Sequence, residues 1–200
     1  MNIQPVTLSL RTVRLEPLSE AHISGLFKAG QDESIWRYMR YGRIETEEQM
    51  AEWVRRLLAA QEQGTDLPFA VVHQETKEVI GATRYLEIQP QNRSLEIGGT
   101  WYTPAFQRTS VNTECKYLLL RHAFEVLGCV RVQFKADVRN ERSQRALERI
   151  GAVKEGILRN HMILPDGYLR SSVYYSILPI EWLEVKARLE AKLGLYQGQL

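Results

Sequence analysis

AFQRTSVNTECKYLLLRHAF, residues 105–124, opens with small polar residues and turns into an apolar helix. Thr109, Ser110, Asn112 and Thr113 stand at the changeover, just after a segment with the rhythm of a strand. The first turn of a helix leaves backbone N–H groups without internal partners, and the helix dipole adds positive potential there. Small polar side chains would let a phosphate-like anion reach those amides, with Arg108 adding charge. The plainer alternative is that Ser110 or Asn112 only caps the helix. Other chemistries find no footing. His22, His73, His122 and His161 are scattered without metal-ligand spacing, and neither cysteine is grouped with them, so no metal is expected. There is no Gly-x-Ser-x-Gly elbow, no Walker lysine loop and no dinucleotide fingerprint.

The elements that must hold this loop follow from periodicity. Residues 7–16 read as strand-like chain with a phase slip at Arg11-Thr12, and Ser19 can start a short helix reaching about Ala29. Thr46-Glu47-Glu48-Gln49 has capping-box spacing, and Met50, Trp53, Val54, Leu57 and Leu58 continue it as an apolar stripe. The aromatic and arginine-rich SIWRYMRYG (34–42) between those helices reads as an ordered loop. PFAVVHQ (68–74) and EVIGATRYLEI (78–88) form a hairpin about Glu75-Thr76-Lys77, and SLEIGGTWY (94–102) is the strand before the polar loop. The helix after that loop places Cys115, Leu118, Leu119, Ala123 and Val126 on one face and stops at Gly128. VRVQFKADV (130–138) alternates as a strand, Glu141–Ile150 is a short helix closed by Gly151, and two strands turn at Pro165-Asp166-Gly167 before a final amphipathic helix. The expected fold class is α/β (α+β): one domain over residues 1–200, frayed at 196–200, with a mostly antiparallel sheet. A strand–helix–strand crossover over 94–138 makes those two strands parallel neighbours.

Composition narrows the class. At 200 residues, 44% apolar and 25% charged, the chain can bury a substantial core as one domain. A formal charge of only +2, with no Lys/Arg cluster, implies no nucleic-acid partner. Cys115 and Cys129 would sit near opposite ends of one helix, about 20 Å apart, too far for a disulfide. Free thiols, the absence of a signal-like start and the absence of a membrane-length apolar run lead to an expected cytoplasmic location with no membrane partner.

Four segments together, LEIGGTWYTPAFQ–RTSVNTE, VRVQFKADV, NERSQRALERIGAVKEGILRN and DGYLRSSVYYSILPIEW, resemble the GNAT N-acetyltransferases. The nearest branch is the Rim-like enzymes that acetylate ribosomal-protein N-termini. The resemblance implies an acetyl-CoA-dependent enzyme and covers nearly the whole chain. In the family, a Gln/Arg-x-x-Gly-x-Gly/Ala turn holds the pyrophosphate of acetyl-CoA. Here Gln107 matches, while Ser110 and Asn112 replace the two small turn residues, around Arg108, Thr109, Val111 and Thr113. New side chains there could add donors or obstruct the phosphates.

Acetyl transfer to an amine requires a held cofactor, a neutral amine, a polarised carbonyl and a proton for the thiolate. The resemblance implies that backbone near Trp101, Tyr102 and Thr103 pairs with the pantetheine arm, and that Asn140 contacts it. Asn140 is equally a good N-cap for the helix it precedes. Ser143, one turn later, matches a serine proposed to assist the departing thiolate, and Tyr175 matches a tyrosine given the same role; Tyr175 also reads as a core aromatic. Glu96 alternates away from Leu95 and Ile97 and shares its face with Gly98, making it the candidate base or else a structural carboxylate. Arg142 and Arg145 could reach phosphates or lie in solvent. Trp36, Tyr38 and Tyr41, with Arg37, Met39 and Arg40, would flank the acceptor entrance or serve as packing. The expected acceptor is a primary amine, either a peptide N-terminus or a small molecule such as a polyamine, amino acid or antibiotic. A catalytically weak CoA sensor is the alternative of another class, and the final hairpin is compatible with a homodimer.

Overall fold

The fold was obtained as a computed structural model describing residues 1–195. The expected fraying at 196–200 lies outside the described residues. Eight strands form one sheet in the order β1-β2-β3-β4-β5-β6-β8-β7. They are β1 (Leu8–Ser9), β2 (Val13–Pro17), β3 (Leu67–His73), β4 (Val79–Gln89), β5 (Ser94–Tyr102), β6 (Arg131–Asp137), β7 (Val153–Ile163) and β8 (Leu169–Ile177). All pairings are antiparallel except β5 with β6. The helices are α1 (Ile23–Ala29), α2 (Glu47–Glu62), α3 (Val111–Arg121), α4 (Glu141–Ile150) and α5 (Pro179–Lys192).

Strand alternation divides the core into two layers. On one face Tyr85, Leu95, Ile97, Val132 and Phe134 pack with Cys115, Leu118 and Leu119 of α3 and Trp182 and Val185 of α5. On the other face Ala70, Ala82 and Trp101 meet Met50, Trp53 and Val54 of α2 and the 34–44 loop. The phase slip at Arg11-Thr12 is the turn between β1 and β2. Thr46 caps α2 by accepting from the Gln49 amide at 3.2 Å. Gly151 ends α4 at φ 96°, a left-handed position that suits glycine.

The β5–β6 pairing is short. Its register runs Ser94↔Arg131, Leu95↔Val132, Glu96↔Gln133 and stops there, while β5 continues to Tyr102 and β6 to Asp137. Beyond Glu96 the two strands diverge, leaving facing edges with no ladder partner. Opposite the parting, the β4–β5 register shifts between Ala82 and Arg84, and Gly99 takes φ 57°. This bulge bends β5 away from β6 where the gap opens.

One core expectation fails. Val126 is 72% exposed, and Leu127 is buried instead. The helix passes from α3 into a π turn at His122–Val126, whose extra residue rotates the following side chains off the expected face. At that point the buried Tyr85 hydroxyl donates to the Leu119 carbonyl at 2.6 Å, an insertion into the helix ladder.

Candidate active site

The parted strands, the loop before α3, the start of α4 and the 34–41 loop enclose one cavity of about 840 Å³. That size suits a small-molecule or cofactor site. At its α3 end, Gln107 donates from Nε2 to the Tyr102 carbonyl at 2.9 Å and accepts at Oε1 from Arg142 at 2.8 Å. It thereby ties the end of β5 to α4. Arg108 follows at φ 62°, a left-handed conformation that turns the chain sharply. Thr109 donates to the Phe106 carbonyl at 2.8 Å and accepts from the Val111 amide at 3.3 Å.

The amides of Arg108, Thr109, Ser110, Asn112 and Thr113 have no hydrogen-bond partner among the described residues, and only Val111 spends its N–H on the protein. The side chains at the two altered turn positions fold back. Asn112 Oδ1 accepts from the Tyr102 hydroxyl at 3.3 Å, and Ser110 Oγ lies 3.5 Å from Thr12 Oγ1. Neither hydroxyl nor side-chain amide caps α3. This donor set, with Arg108, Arg142 and Arg145 beside it, fits a diphosphate, and the gap between β5 and β6 fits an extended arm.

At the apex of the parting sits Glu96, 2% exposed. Its Oε2 lies 3.1 Å from Lys135 Nζ and accepts from Gln133 Nε2 at 3.3 Å. Burial raises its pKa above the usual carboxylate range, only partly offset by the Lys135 ammonium. Gly98 leaves room for the carboxylate, since a Cβ there would stand 2.9 Å from Glu96 Oε1. Asn140 caps α4 by accepting from the Ser143 amide at 3.0 Å, and both residues line the cavity. Arg145 lines it too while pairing with Glu141 at 2.8 Å.

The cavity gathers most, not all, of the expected site residues. Trp101, Tyr102, Gln107, Arg108, Thr109, Asn112 and Thr113 line it, as do Tyr38 and Tyr41. Five of the expected residues are not among those lining it. Thr103 lies outside, its amide donating to the Ile80 carbonyl at 2.8 Å. The Ser110 and Val111 side chains lie outside as well, so what they offer is backbone. Trp36 is 3% exposed and does not reach the cavity; its indole donates to the Gly30 carbonyl at 2.8 Å, and its ring packs on Trp101 and Tyr41. Tyr175 is fully buried away from the cavity, and its hydroxyl donates to Glu148 at 3.0 Å. Burial pushes that phenol up to about 12, and the side chain does not line the cavity.

The structure also brings in residues that the sequence reading passed over. Lys116, Lys135, Arg84 and Arg170 line the cavity. Arg170 donates to Ser172 Oγ at 3.2 Å and to the Tyr38 carbonyl at 3.3 Å, anchoring the 34–42 loop to β8. The available signal was a charge inside an otherwise apolar run: Lys116 in CKYLLL, Arg84 within β4.

Residues 12–153 match the acetyltransferase (GNAT) domain. A presumed acetyltransferase from T. thermophilus superposes with a TM-score of 0.87 at 43% identity, covering 96% of this chain and all of that one. A GCN5-related N-acetyltransferase from Brucella melitensis gives 0.88 at 30% identity, over 94% of this chain and 86% of the other. Among curated relatives, the ribosomal-protein-serine acetyltransferase of Escherichia coli is 22% identical over 84% of this chain and 93% of its own length. With its parted β5 and β6 and its open-amide loop, the chain belongs to the GNAT acetyltransferase family and is an acyltransferase of that type.

Proposed function

We propose that this enzyme transfers the acetyl group of acetyl-CoA directly to the α-amine of a protein N-terminus. The observation that carries the reading is the position of Glu96: a buried carboxylate at the apex of the parting, in the same cavity as the open amides of the α3 loop. The loop amides and arginines hold the diphosphate, and the free β5 edge holds the arm. Glu96 takes a proton from the amine, and the amine nitrogen attacks the carbonyl carbon without an acyl-enzyme. Both cysteines are buried, and burial pushes Cys115 up to about 12 and Cys129 up to about 11, which removes them as nucleophiles.

An α-amine suits this base. With a pKa near 7.7–8.0 it is neutral in roughly one molecule in ten at pH 7, against about one in a few thousand for a lysine side chain. The curated relative named as a ribosomal-protein-serine acetyltransferase supports a peptide acceptor. A sensor without activity drew its support from the altered turn, and the folded-back Ser110 and Asn112 side chains remove that support. The test is thiol release over a panel of peptides beginning with Ala or Ser, spermidine and an aminoglycoside. The proposal expects turnover on the peptides with kcat/KM at least tenfold above the small amines; the reverse order would move the enzyme to a small-amine acceptor.

A further inference from the structure

Lys116 is a lysine where the fold expects an apolar side chain. It stands on α3 between Cys115 and Tyr117, is 5% exposed, and lines the cavity from the α3 side. Its ammonium donates to Thr100 Oγ1 on β5 at 2.9 Å and lies 5.7 Å from the centre of the Phe134 ring on β6. It therefore spans the two strands beneath their gap, beside the β5 bulge and beyond the last paired residues Glu96 and Gln133. No carboxylate makes an ion pair with it among the described residues. Glu96 on β5 is a charged neighbour, Cys115 on its own helix keeps a neutral thiol, and β6 presents the Phe134 ring. Lys135 of β6 and Arg84 of β4 line the same cavity, and Thr100, which accepts from Lys116, is bonded in turn to the Thr83 hydroxyl of β4 at 2.8 Å. A buried cation without an ion-pair partner is costly, so a lysine on the wall of this cavity calls for an anion.

We infer that Lys116 is a catalytic residue, the cation that receives the departing thiolate and returns a proton to it. The inference rests on acetyl-CoA as the acetyl donor. As the amine nitrogen bonds to the carbonyl carbon, the C–S bond breaks and its electron pair goes to sulfur. The Lys116 ammonium then passes a proton to that sulfur, giving the free thiol and a neutral lysine. A proton released by the acylated nitrogen restores the ammonium. Burial lowers the Lys116 pKa to about 8, close to that of a thiol near 8.5, so the transfer is nearly level in energy while the lysine stays mostly protonated at neutral pH. Ser143, on the α4 side of the cavity, is left with a supporting hydrogen bond.

The test follows the thiol of bound CoA by its ultraviolet thiolate absorbance across pH, in the wild type, Lys116→Met and Lys116→Arg, with desulfo-CoA affinity measured beside it. In the wild type the bound thiol should ionise at least one pH unit below free CoA. Lys116→Met should abolish that shift and lower kcat by about 10²-fold or more while leaving desulfo-CoA affinity within about threefold. Lys116→Arg keeps the charge and cannot give up its proton, so it should retain the thiolate shift yet recover only part of the rate. It should also lose the alkaline fall in kcat above about pH 8. A wild-type thiol that ionises like free CoA would overturn the inference without any variant, as would an unmoved shift in Lys116→Met. Failure of CoA and desulfo-CoA alike to bind would instead remove the acetyl-CoA reading, and this inference with it.

Discussion

Glu96 and Lys135 lie 3.1 Å apart with both side chains largely buried, and that burial sets how the site responds to pH. Burial raises the carboxyl pKa, and a base must be ionised to act, so kcat/KM should fall as pH drops through a value above the usual carboxylate range. Glu96→Gln should lower kcat by about 10²–10⁴-fold, remove that acidic limb and leave acetyl-CoA binding unchanged; steady-state rates from pH 5 to 9 with parallel calorimetry check it. Tyr175 gives the contrast. Its hydroxyl reaches only Glu148, so Tyr175→Phe should change kcat less than about twofold and cost at most about 1 kcal/mol in a urea melt. A large loss of rate with intact folding would return Tyr175 to the sulfur. Alternation along β5 singled out Glu96 and the family resemblance singled out Asn140 and Ser143, and all three line the cavity. Neither signal could separate Tyr175 from it, because alternation along β8 says which face a side chain takes and not what covers that face.

In the proposed reading cofactor binding turns on the α3 loop, whose amides are left open by a local arrangement no motif describes. Arg108 adopts a left-handed turn, Thr109 braces the loop, and Asn112 is drawn to Tyr102. A carboxylate in the first turn of a helix favours the free protein and repels a diphosphate. Asn112→Asp should therefore raise stability by about 0.3–1 kcal/mol while weakening CoA binding at least about tenfold, opposite signs that a thermal melt and a calorimetric titration would read together. Loss of both would mean the side chain serves mainly to hold Tyr102. The helix itself was legible from its apolar stripe as far as Ala123. Val126 was not, because a π turn depends on the Tyr85 hydroxyl arriving from β4, a contact that periodicity within the helix cannot carry.

At the level of the molecule, element order was readable because each strand and helix has its own period and its own cap. Even the parallel neighbours followed from the length of the 94–138 crossover. The parting of β5 and β6 was not readable from alternation, which continues unbroken through both strands; it entered only through family resemblance. In the structure it lies beside a bulge at Gly99, with Lys116 of α3 reaching Thr100 on β5 and the Phe134 ring on β6. The joint arrangement of open amides and divided strands is the centre of the account, and a crystal structure with CoA tests it most directly. Diphosphate oxygens should lie within about 3 Å of amides between Arg108 and Thr113, with the arm running along β5 toward Glu96. A structure in which those amides close on the protein's own atoms, or in which the arm lies elsewhere on the sheet, would contradict it.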